Sequence, residues 1–416
     1  MNICDSMNLS KSKKQIIILY STTILGVGLG VLVSILNTRS LTPNEYGDVR
    51  YINNFISFFS GILLFGYFTS GSRLLALAKT KEEVLQLKGC LIGILTLTII
   101  ANILILAICG IVHHEYLHKN YYYLFYIVLP VCGSTILLNY INTTSQGDNS
   151  INTIAAARIF PQLIYLIIAF LIYKLWGATS ERMLLLQNGI SVIILALLIW
   201  KNHFSFQHFK KTLKKLSLEN KQYGLQVYYG SLTGVSVQYI AGITLGLFGT
   251  SNDEVGFYSL ALTITTPLSM LPNVIGTAYF KQFAHQNSIP NKVLLWTTTM
   301  SVISLIGFII LIYPLVDILY DNSYKEVALY ASTLAIGCSI HGMGDMFNRF
   351  LGAHGMGVYL RNSAWLCGAI AIIGYTCGVY WGGIHGAIAT RIISSASYCI
   401  LLIIYYRKFL LVSNNL

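Results

Sequence analysis

Charged residues are scarce in this chain. Only 10% of its 416 residues are Asp, Glu, Lys or Arg, whereas soluble domains carry about 25%. Hydrophobic residues make up 55%, and the mean hydropathy is +0.65. A soluble protein of this composition would have too few polar side chains to cover its surface. The composition therefore predicts an all-α polytopic membrane protein.

Several motifs of enzymes and secreted proteins are also absent. The eight cysteines are scattered with no C-x-x-C pair, so we expect no disulfide framework, metal cluster or bound cofactor. No D-x-D occurs, as a nucleotide-sugar glycosyltransferase would need, and no loop is as large as a polysaccharide polymerase requires. The apolar stretch after Lys11, Lys13 and Lys14 lacks a small-residue cleavage site. We interpret it as a first membrane span rather than a signal peptide.

One motif of catalytic type is present. Residues 114–118 read HEYLH, which fits H-E-x-x-H. On a helix this spacing places two histidines against zinc, with the glutamate as general base. Here it falls at a predicted turn between two spans, and spacing indicates no third ligand. We therefore interpret residues 113–120 as a short connection and expect neither a metal site nor an enzyme.

Apolar runs of the roughly 20 residues needed to cross a bilayer recur along the whole chain. Twelve spans are predicted, centred near Gly28, Ser60, Thr98, Gly133, Leu166, Ile194, Val237, Thr266, Ser304, Gly337, Ala369 and Ser397. The longest hydrophilic interruption is the lysine-rich stretch at 201–221. We accordingly predict two six-helix bundles, 1–205 and 222–416, joined by a basic linker at 206–221.

Positive charge is distributed unevenly. The net charge of +12 reflects 27 Lys and Arg against 15 Asp and Glu. If the N-terminus is cytoplasmic, 20 of the 27 lie on the cytoplasmic side, as the positive-inside rule requires. We predict that both termini are cytoplasmic and that the basic linker faces anionic headgroups. No nucleic-acid partner is needed to explain the charge.

The two halves resemble each other when the chain is shifted by 209 residues. NEYG at 44–47 then aligns with DEVG at 253–256, each in the loop after the first span of its half, and Arg182 aligns with Arg391. Two six-span halves in the same orientation are typical of transporters that alternate access to a site between the halves. The duplication favours a transporter over an enzyme.

The same segments carry a family resemblance. RSLTPNEYG at 39–47 resembles the L-x-x-x-x-Y-G loop of polysaccharide flippases in the multidrug/oligosaccharidyl-lipid/polysaccharide exporter superfamily, especially the O-antigen (Wzx-type) branch. Residues 253–259 and GYFTSGSR at 66–73 are similar to further elements of that family. The resemblance implies a bacterial inner-membrane protein. It would move an undecaprenyl-diphosphate-linked oligosaccharide, an O-antigen or capsule repeat unit, from the cytoplasmic to the periplasmic leaflet.

The resemblance also implies partners beyond this substrate and the membrane lipids, namely a polysaccharide polymerase and a chain-length regulator. We expect a monomer, because each chain already holds both halves. Two alternatives stay open at this point. One is a multidrug and toxin extrusion antiporter of the same superfamily, which would export small cations. The other is a membrane-embedded polysaccharide-modifying enzyme.

Ionisable residues inside spans are candidates for transport chemistry, because they are costly in a bilayer and usually face a partner or a cavity. In the tenth span, His341, Asp345 and Arg349 are spaced at i, i+4 and i+8, on one helical face. Asp345 is the most central carboxylate and His341 lies one turn away, so both are predicted to couple transport to protons. The alternative is that Asp345 and Arg349 neutralise each other and only stabilise packing.

Arginine suits a diphosphate because guanidinium binds phosphate bidentately. Arg158, Arg349 and Arg391 are therefore predicted to bind the substrate in a cationic cavity. Arg73 and Lys281 are further candidates, although their positions at predicted cytoplasmic span ends also favour snorkelling to headgroups.

Overall fold

A computed structural model describes residues 3–413, and the side chains discussed here lie within residues 21–411. The described chain is helical and contains no strand. Its helices are α1 (Ile3–Ser40), α2 (Pro43–Ile62), α3 (Tyr67–Leu77), α4 (Lys81–Glu115), α5 (Tyr123–Val128), α6 (Ser134–Gly147), α7 (Ile151–Trp176), α8 (Ser180–Lys201), α9 (Phe209–Glu219), α10 (Leu225–Phe248), α11 (Asp253–Phe283), α12 (Asn291–Leu319), α13 (Val327–Ala353) and α14 (Gly357–Ser413).

Ten helical stretches are long and apolar enough to cross a membrane, and the bent pair of α2 and α3 adds an eleventh. The two members of this pair meet at 57°. α14 contains one non-helical residue, Gly383 (φ 51°, ψ −133°), which divides it into two helices. Counted in this way, the described chain has twelve spans. The predicted all-α polytopic fold is confirmed.

Contacts within the chain define two compact units. The first comprises the residues up to Ser40 together with Phe55–Leu232, and the second comprises Leu41–Asn54 and the chain from Thr233 onwards. The start of α2 therefore belongs to the unit that contains α11 and α13, although it lies early in the sequence. The predicted bundles 1–205 and 222–416, with a linker at 206–221, stay a prediction.

Polar groups between helices of the first unit are hydrogen-bonded to one another. The Tyr165 hydroxyl donates to Asn37 Oδ1, and the Ser134 hydroxyl donates to Asn188 Oδ1, both at 2.7 Å. These bonds join α7 to α1 and α6 to α8. An interhelical hydrogen bond in a bilayer contributes only about 0.6 kcal/mol on average. The bonds therefore orient the spans more than they drive their association.

The lysine-rich segment is itself structured. α9 is amphipathic, with Thr212 and Leu216 buried and its lysines exposed. A π-helical turn at Asn220–Gly224 then leads into α10. In this turn the Asn220 amide accepts a hydrogen bond from Ser70 Oγ and donates one to Phe65 O, each at 3.0 Å. The segment is thus attached to the bend between α2 and α3.

In the second unit, the first turns of α2 and α11 cross with their backbones in contact. A Cβ added to Gly47 would lie 1.8 Å from Asn252 O, and one added to Gly256 would lie 2.7 Å from Pro43 O. Gly47 and Gly256 are the two glycines that the 209-residue shift aligns. The two copies of the repeated motif therefore pack against each other, and the packing requires glycine in both.

Side chains of the two motifs complete this crossing. Glu45 caps α2 by accepting hydrogen bonds from Thr42 N at 3.0 Å and Thr42 Oγ1 at 2.9 Å, the arrangement of a capping box. Asn44 Oδ1 accepts from Asn252 N at 2.9 Å, and Asn252 Nδ2 donates to Asp48 Oδ1 at 2.6 Å. The loop before α11 is thereby hydrogen-bonded to the start of α2.

Tyr324, in the connection between α12 and α13, closes the crossing from one side. Its hydroxyl donates to Leu41 O at 3.1 Å, and its ring meets Tyr46 and Phe257 edge-on at 6.2 and 6.0 Å between centroids. Burial raises the pKa of the Tyr324 phenol, so the hydroxyl keeps the proton that it donates.

Replacing Gly47 by Ala is expected to destabilise the protein, because the new methyl group would meet the Asn252 carbonyl. Overpacking of this kind costs about 1–3 kcal/mol, which exceeds the gain of about 1 kcal/mol from removing a helical glycine. The unfolding temperature of the purified protein in detergent measures the effect. Gly307→Ala is the matched control, since that helical position has nothing within 4 Å of an added Cβ. Equal unfolding temperatures for the two variants would contradict the crossing.

Candidate functional site

His341, Asp345 and Arg349 lie on one face of α13, as their spacing predicts. Asp345 and Arg349 nevertheless form no ion pair, because Asn273 of α11 lies between them. Arg349 Nη2 donates to Asn273 Oδ1 at 3.1 Å, and Asn273 Nδ2 donates to Asp345 Oδ2 at 3.0 Å. Asp345 and Arg349 therefore do not form the direct ion pair of the alternative, whereas its purely structural role for them stays a prediction. Each charged group is held instead by one end of a neutral amide.

Glycines bring α11 close enough to α13 for this bridge. A Cβ added to Gly342 would lie 2.6 Å from Ser269 O, and one added to Gly276 would lie 3.1 Å from Arg349 Cγ. Small residues permit such close approach of spans. The short interhelical distance lets a side chain as short as asparagine contact two residues a full turn apart on the neighbouring helix.

Tyr398 of α14 holds the same face of α13 from the other side. Its hydroxyl donates to Asp345 Oδ1 at 3.1 Å and accepts from Asn348 Nδ2 at 2.8 Å. Its ring stacks on His341, with centroids 4.8 Å apart and planes at 21°. Both oxygens of Asp345 therefore accept a hydrogen bond, one from α11 and one from α14.

Arg391 lies two turns before Tyr398 on α14. Its guanidinium lies close to Tyr375, whose hydroxyl is 3.4 Å from the hydroxyl of Tyr258. His341 interacts electrostatically with both Arg391 and Asp345, so these groups form one cluster. Nε of Arg391 and Nδ1 of His341 are buried without a hydrogen-bond partner. The cluster thus has hydrogen-bonding capacity that the protein itself does not use.

Arg158 of α7 is the predicted substrate-binding arginine that lies in the first unit. Its Nη1 donates to Thr23 Oγ1 at 2.9 Å and its Nε donates to Asn142 Oδ1 at 3.4 Å. Among the described residues, no carboxylate lies within 4 Å of the guanidinium of Arg158, Arg349 or Arg391. All three arginines are held by neutral amides and hydroxyls, which orient a guanidinium without cancelling its charge.

The two remaining cationic candidates have different surroundings. Arg73 of α3 forms an ion pair with Glu219 and lies over the Tyr223 ring at 5.2 Å from its centroid. Lys281 is exposed in the last turn of α11. Arg73 is therefore engaged in a structural contact within the first unit. A substrate-binding role for either residue stays a prediction.

The H-E-x-x-H motif straddles the end of a helix. α4 ends at Glu115, and His118 lies beyond it with a positive φ of 49°. His114 Nδ1 is 2.8 Å from Glu115 Oε1, whereas His113 is buried with its Nδ1 2.7 Å from Cys109 O. The two histidines of the motif do not share a helical face. In the described part of the chain, no three side chains are grouped as metal ligands.

Reasoning from sequence noted Asn348 beside the charged face of α13 but missed the neutral members contributed by other helices, namely Asn273, Tyr398, Tyr375 and Tyr258. Asn273 carried a usable signal, because an amide directly after Pro272 in the middle of an apolar span needs a partner. Tyr398 also follows Arg391 at i+7, on the same helical face. The partner helices of both residues are distant in sequence, so spacing alone did not connect them to Asp345.

Twelve spans with charged groups inside them define a polytopic membrane protein, and solved structures of membrane transporters share this fold. The chain is similar to a lipid II flippase, MurJ, in an inward closed conformation (14% identity, TM-score 0.70, covering 95% of this chain and 89% of that one). It is also similar to a multidrug resistance MATE transporter of the MOP superfamily. In the inward-facing conformation the identity is 14% and the TM-score 0.67, covering 94% of this chain and 98% of that one. In the outward-facing conformation the identity is 14% and the TM-score 0.56, covering 95% of this chain and 94% of that one.

Sequence comparison identifies the family. The family described as polysaccharide biosynthesis protein matches residues 12–280, and the chain belongs to it. No protein with a curated description matches the sequence. Together with the MOP-superfamily fold, the family confirms the resemblance to polysaccharide flippases. The protein is a multi-pass membrane protein of this polysaccharide biosynthesis family, with the fold of the MurJ and MATE structures.

Tyr398→Phe is expected to destabilise the cluster, because it removes one hydrogen bond from Asp345 and the acceptor of Asn348 while keeping the ring on His341. Leaving buried polar groups unsatisfied costs about 1–3 kcal/mol. The unfolding temperature in detergent should therefore fall, whereas Tyr380→Phe, at a residue that is 67% exposed, should leave it unchanged. A Tyr398→Phe protein as stable as the Tyr380→Phe control would show that the hydroxyl does not hold Asp345.

Proposed function

We propose that this protein is a flippase for an undecaprenyl-diphosphate-linked oligosaccharide, an O-antigen or capsule repeat unit. It would move this lipid from the cytoplasmic to the periplasmic leaflet of the bacterial inner membrane by alternating access. The observation that carries the proposal is the set of Arg158, Arg349 and Arg391, three arginines inside spans whose hydrogen-bond partners are all neutral. The family description agrees with a role in polysaccharide biosynthesis.

The charge of the substrate explains why such arginines would be present. A charged side chain at the centre of a span costs about 2.5–3.5 kcal/mol on insertion scales. A paired carboxylate would offset that cost but would also remove the attraction for an anion. A diphosphate supplies negative charge only while the substrate is bound, and guanidinium binds phosphate through two parallel hydrogen bonds. Amide and hydroxyl partners leave this interaction available.

The remaining parts of the proposal follow from charge distribution and family. Both termini and the basic segment lie in the cytoplasm, and the polyprenyl tail stays in the bilayer among membrane lipids. The protein works as a monomer and delivers its product to a polysaccharide polymerase and a chain-length regulator. It carries no cofactor and catalyses no covalent change.

Asp345 and His341 are proposed to couple transport to protons. Asp345 accepts hydrogen bonds from two different helices, and His341 stacks on the tyrosine that provides one of them. Protonation of Asp345 would convert an acceptor into a donor. The contacts of α13 with α11 and α14 would have to rearrange in response, which is the type of event that can drive a conformational change.

Neutralising the arginines one at a time, as Arg158→Gln, Arg349→Gln and Arg391→Gln, is expected to lower export strongly. A hydrogen bond to a charged group contributes about 1.5–3 kcal/mol, or roughly a 10- to 150-fold loss in affinity for the diphosphate. Cells carrying each variant should lose surface polysaccharide and accumulate lipid-linked oligosaccharide in the cytoplasmic leaflet. Both quantities can be measured by mass spectrometry of extracted lipids and by immunoblotting of the cell surface.

Arg361→Gln is the matched control, because Arg361 is exposed and contacts only its neighbour Asn362 and the Trp365 ring. It should export normally at equal protein abundance. Ethidium efflux from the same cells tests the multidrug alternative. Unchanged export in all three arginine variants would refute the proposed site. Efflux of ethidium that depends on Asp345 would favour a cation antiporter instead.

Asp345→Asn is expected to abolish the response of translocation to a proton gradient, because the amide cannot exchange a proton. Proteoliposomes with lipid-linked oligosaccharide and an imposed pH gradient measure this directly. Asp317→Asn, at an exposed carboxylate of α12, should respond as the wild type does. Translocation by Asp345→Asn that retains the wild-type pH dependence would rule out the coupling role.

A further inference from the structure

A concentration of positive charge in the first unit lies on α9 and the loop before α4. This basic surface consists of exposed lysines, namely Lys79, Lys81, Lys210, Lys211, Lys214, Lys215 and Lys221. The loop and α9 adjoin each other, since Lys215 Nζ pairs with Glu83 Oε1, and Glu83 Oε2 accepts a hydrogen bond from Lys79 N at 3.2 Å. All of these residues belong to the first unit.

The carboxylates beside this surface are largely occupied. Glu83 is paired with Lys215, and Glu219 is paired with Arg73. Among the described residues, Lys210, Lys211, Lys214 and Lys221 have no carboxylate within 4 Å. The outward side of α9 therefore presents positive charge that the protein does not neutralise, and a complementary partner must be anionic.

Apolar side chains accompany these lysines. Lys211, Lys214 and Leu218 are spaced at i, i+3 and i+7 on one face, opposite the buried Thr212 and Leu216, and Leu218 is 54% exposed. Phe206, just before the helix, is also 54% exposed. Interfacial segments contact a membrane through lysines at the headgroups and through apolar side chains at the acyl boundary. The exposed lysines of α9, Leu218 and Phe206 provide both kinds of group.

The position of α9 in the chain limits where it can lie. α8 ends at Lys201 and α10 begins at Leu225, and both belong to membrane-spanning stretches. Residues 202–208 alone separate α9 from α8, and the π-helical turn at Asn220–Gly224 continues α9 directly into α10. These attachments keep α9 beside the ends of the two spans. This constraint, together with the exposed Leu218 and Phe206, favours a lipid over an acidic protein segment as the partner.

The segment around α9 is attached to α4 before the helix and to the bend between α2 and α3 after it. Ser205 N donates to Leu85 O at 2.9 Å, and a Cβ on Gly89 would lie 2.1 Å from Ser205 O. At the other end, a Cβ on Gly66, the bend residue with φ +75°, would lie 2.3 Å from Gly224 O of the π-helical turn. A force on α9 is therefore transmitted to the bend between α2 and α3.

We propose that the basic surface of α9 binds the headgroups of anionic phospholipids, and that bound lipid stabilises the contact between the π-helical turn and the α2–α3 bend. The binding site is independent of the cargo, so it holds whether or not the protein flips an oligosaccharide lipid. In a membrane poor in anionic lipid, the lysines of α9 would have no anionic partner. The bend between α2 and α3 would then be more mobile.

The test uses the full chain in lipid nanodiscs of phosphatidylcholine alone or mixed with phosphatidylglycerol. The variant is Lys210→Gln/Lys211→Gln/Lys214→Gln. The matched control is Lys292→Gln/Arg407→Gln/Lys408→Gln, which removes equal charge at exposed positions of the second unit. Each lysine near an anionic surface contributes about fivefold to binding. We therefore expect roughly a hundredfold weaker retention of phosphatidylglycerol in the α9 variant than in the wild type, measured by native mass spectrometry. The control removes equal charge, so hydrogen exchange at the bend distinguishes it from the α9 variant.

Hydrogen exchange provides a second readout. Phosphatidylglycerol should slow amide exchange at residues 65–70 and 220–224 in the wild type and the control, but not in the α9 variant. Equal unfolding temperatures in phosphatidylcholine establish that the variant is folded. Equal phosphatidylglycerol retention by all three proteins, or displacement of the lipid by a soluble acidic peptide at matched charge, would overturn the proposal.

Discussion

The backbone contact between Gly47 and Gly256 is the constraint on which the second unit depends. These glycines occupy equivalent positions in the two halves of the sequence, and a side chain at either would meet the carbonyl group of the opposite motif. Because the contact is between backbones, it leaves no room for adjustment by side-chain rotation. Asn44, Asp48 and Asn252 then fix the relative direction of the two helices through hydrogen bonds. The start of α2 is thereby built into the unit that holds α11.

This crossing also positions the charged cluster. α11 begins in the crossing and carries Asn273 about five turns later, where it meets Asp345 and Arg349 of α13. Glu254, in the first turn of α11, accepts a hydrogen bond from Ile384 N at 3.0 Å, directly after the break at Gly383. That break starts the helix that carries Arg391 and Tyr398. The first turn of α11 therefore fixes where two groups of side chains lie along α13, namely Asn273 of α11 itself and the residues of α14 that follow Gly383.

Properties local to one helix were predictable from the sequence, whereas contacts between helices were not. The number of spans follows from hydropathy, and the shared face of His341, Asp345 and Arg349 follows from helical spacing. The repeat was also visible, because NEYG and DEVG share their Glu and Gly and each follows the first span of its half. Spacing along α13 could not reveal that Asn273 separates Asp345 from Arg349, since the distance between α11 and α13 depends on Gly342 and Gly276 fitting against particular atoms. The H-E-x-x-H match was predicted to lie wholly in a connection at 113–120, but α4 continues to Glu115 and only the second histidine, His118, lies beyond the helix. The expectation of neither a metal site nor an enzyme stays a prediction.

Because Asn273 of α11 bridges Asp345 and Arg349, the protonation state of Asp345 bears on contacts between helices. A direct ion pair within α13 would not involve a second helix. In an ion pair, protonation of the carboxylate would release the arginine, and the two groups would respond locally. With the amide between them, Asn273 must keep its Nδ2 toward Asp345 for its Oδ1 to face Arg349. A protonated Asp345 has one fewer acceptor for the two donors that it now satisfies, Asn273 and Tyr398. Under the coupling proposed for Asp345, α11 or α14 would lose a hydrogen bond to α13 on protonation, and a loss on the α11 side would free Arg349. A proton on this carboxylate would then be linked, through neutral groups alone, to the orientation of a cation proposed to bind the substrate.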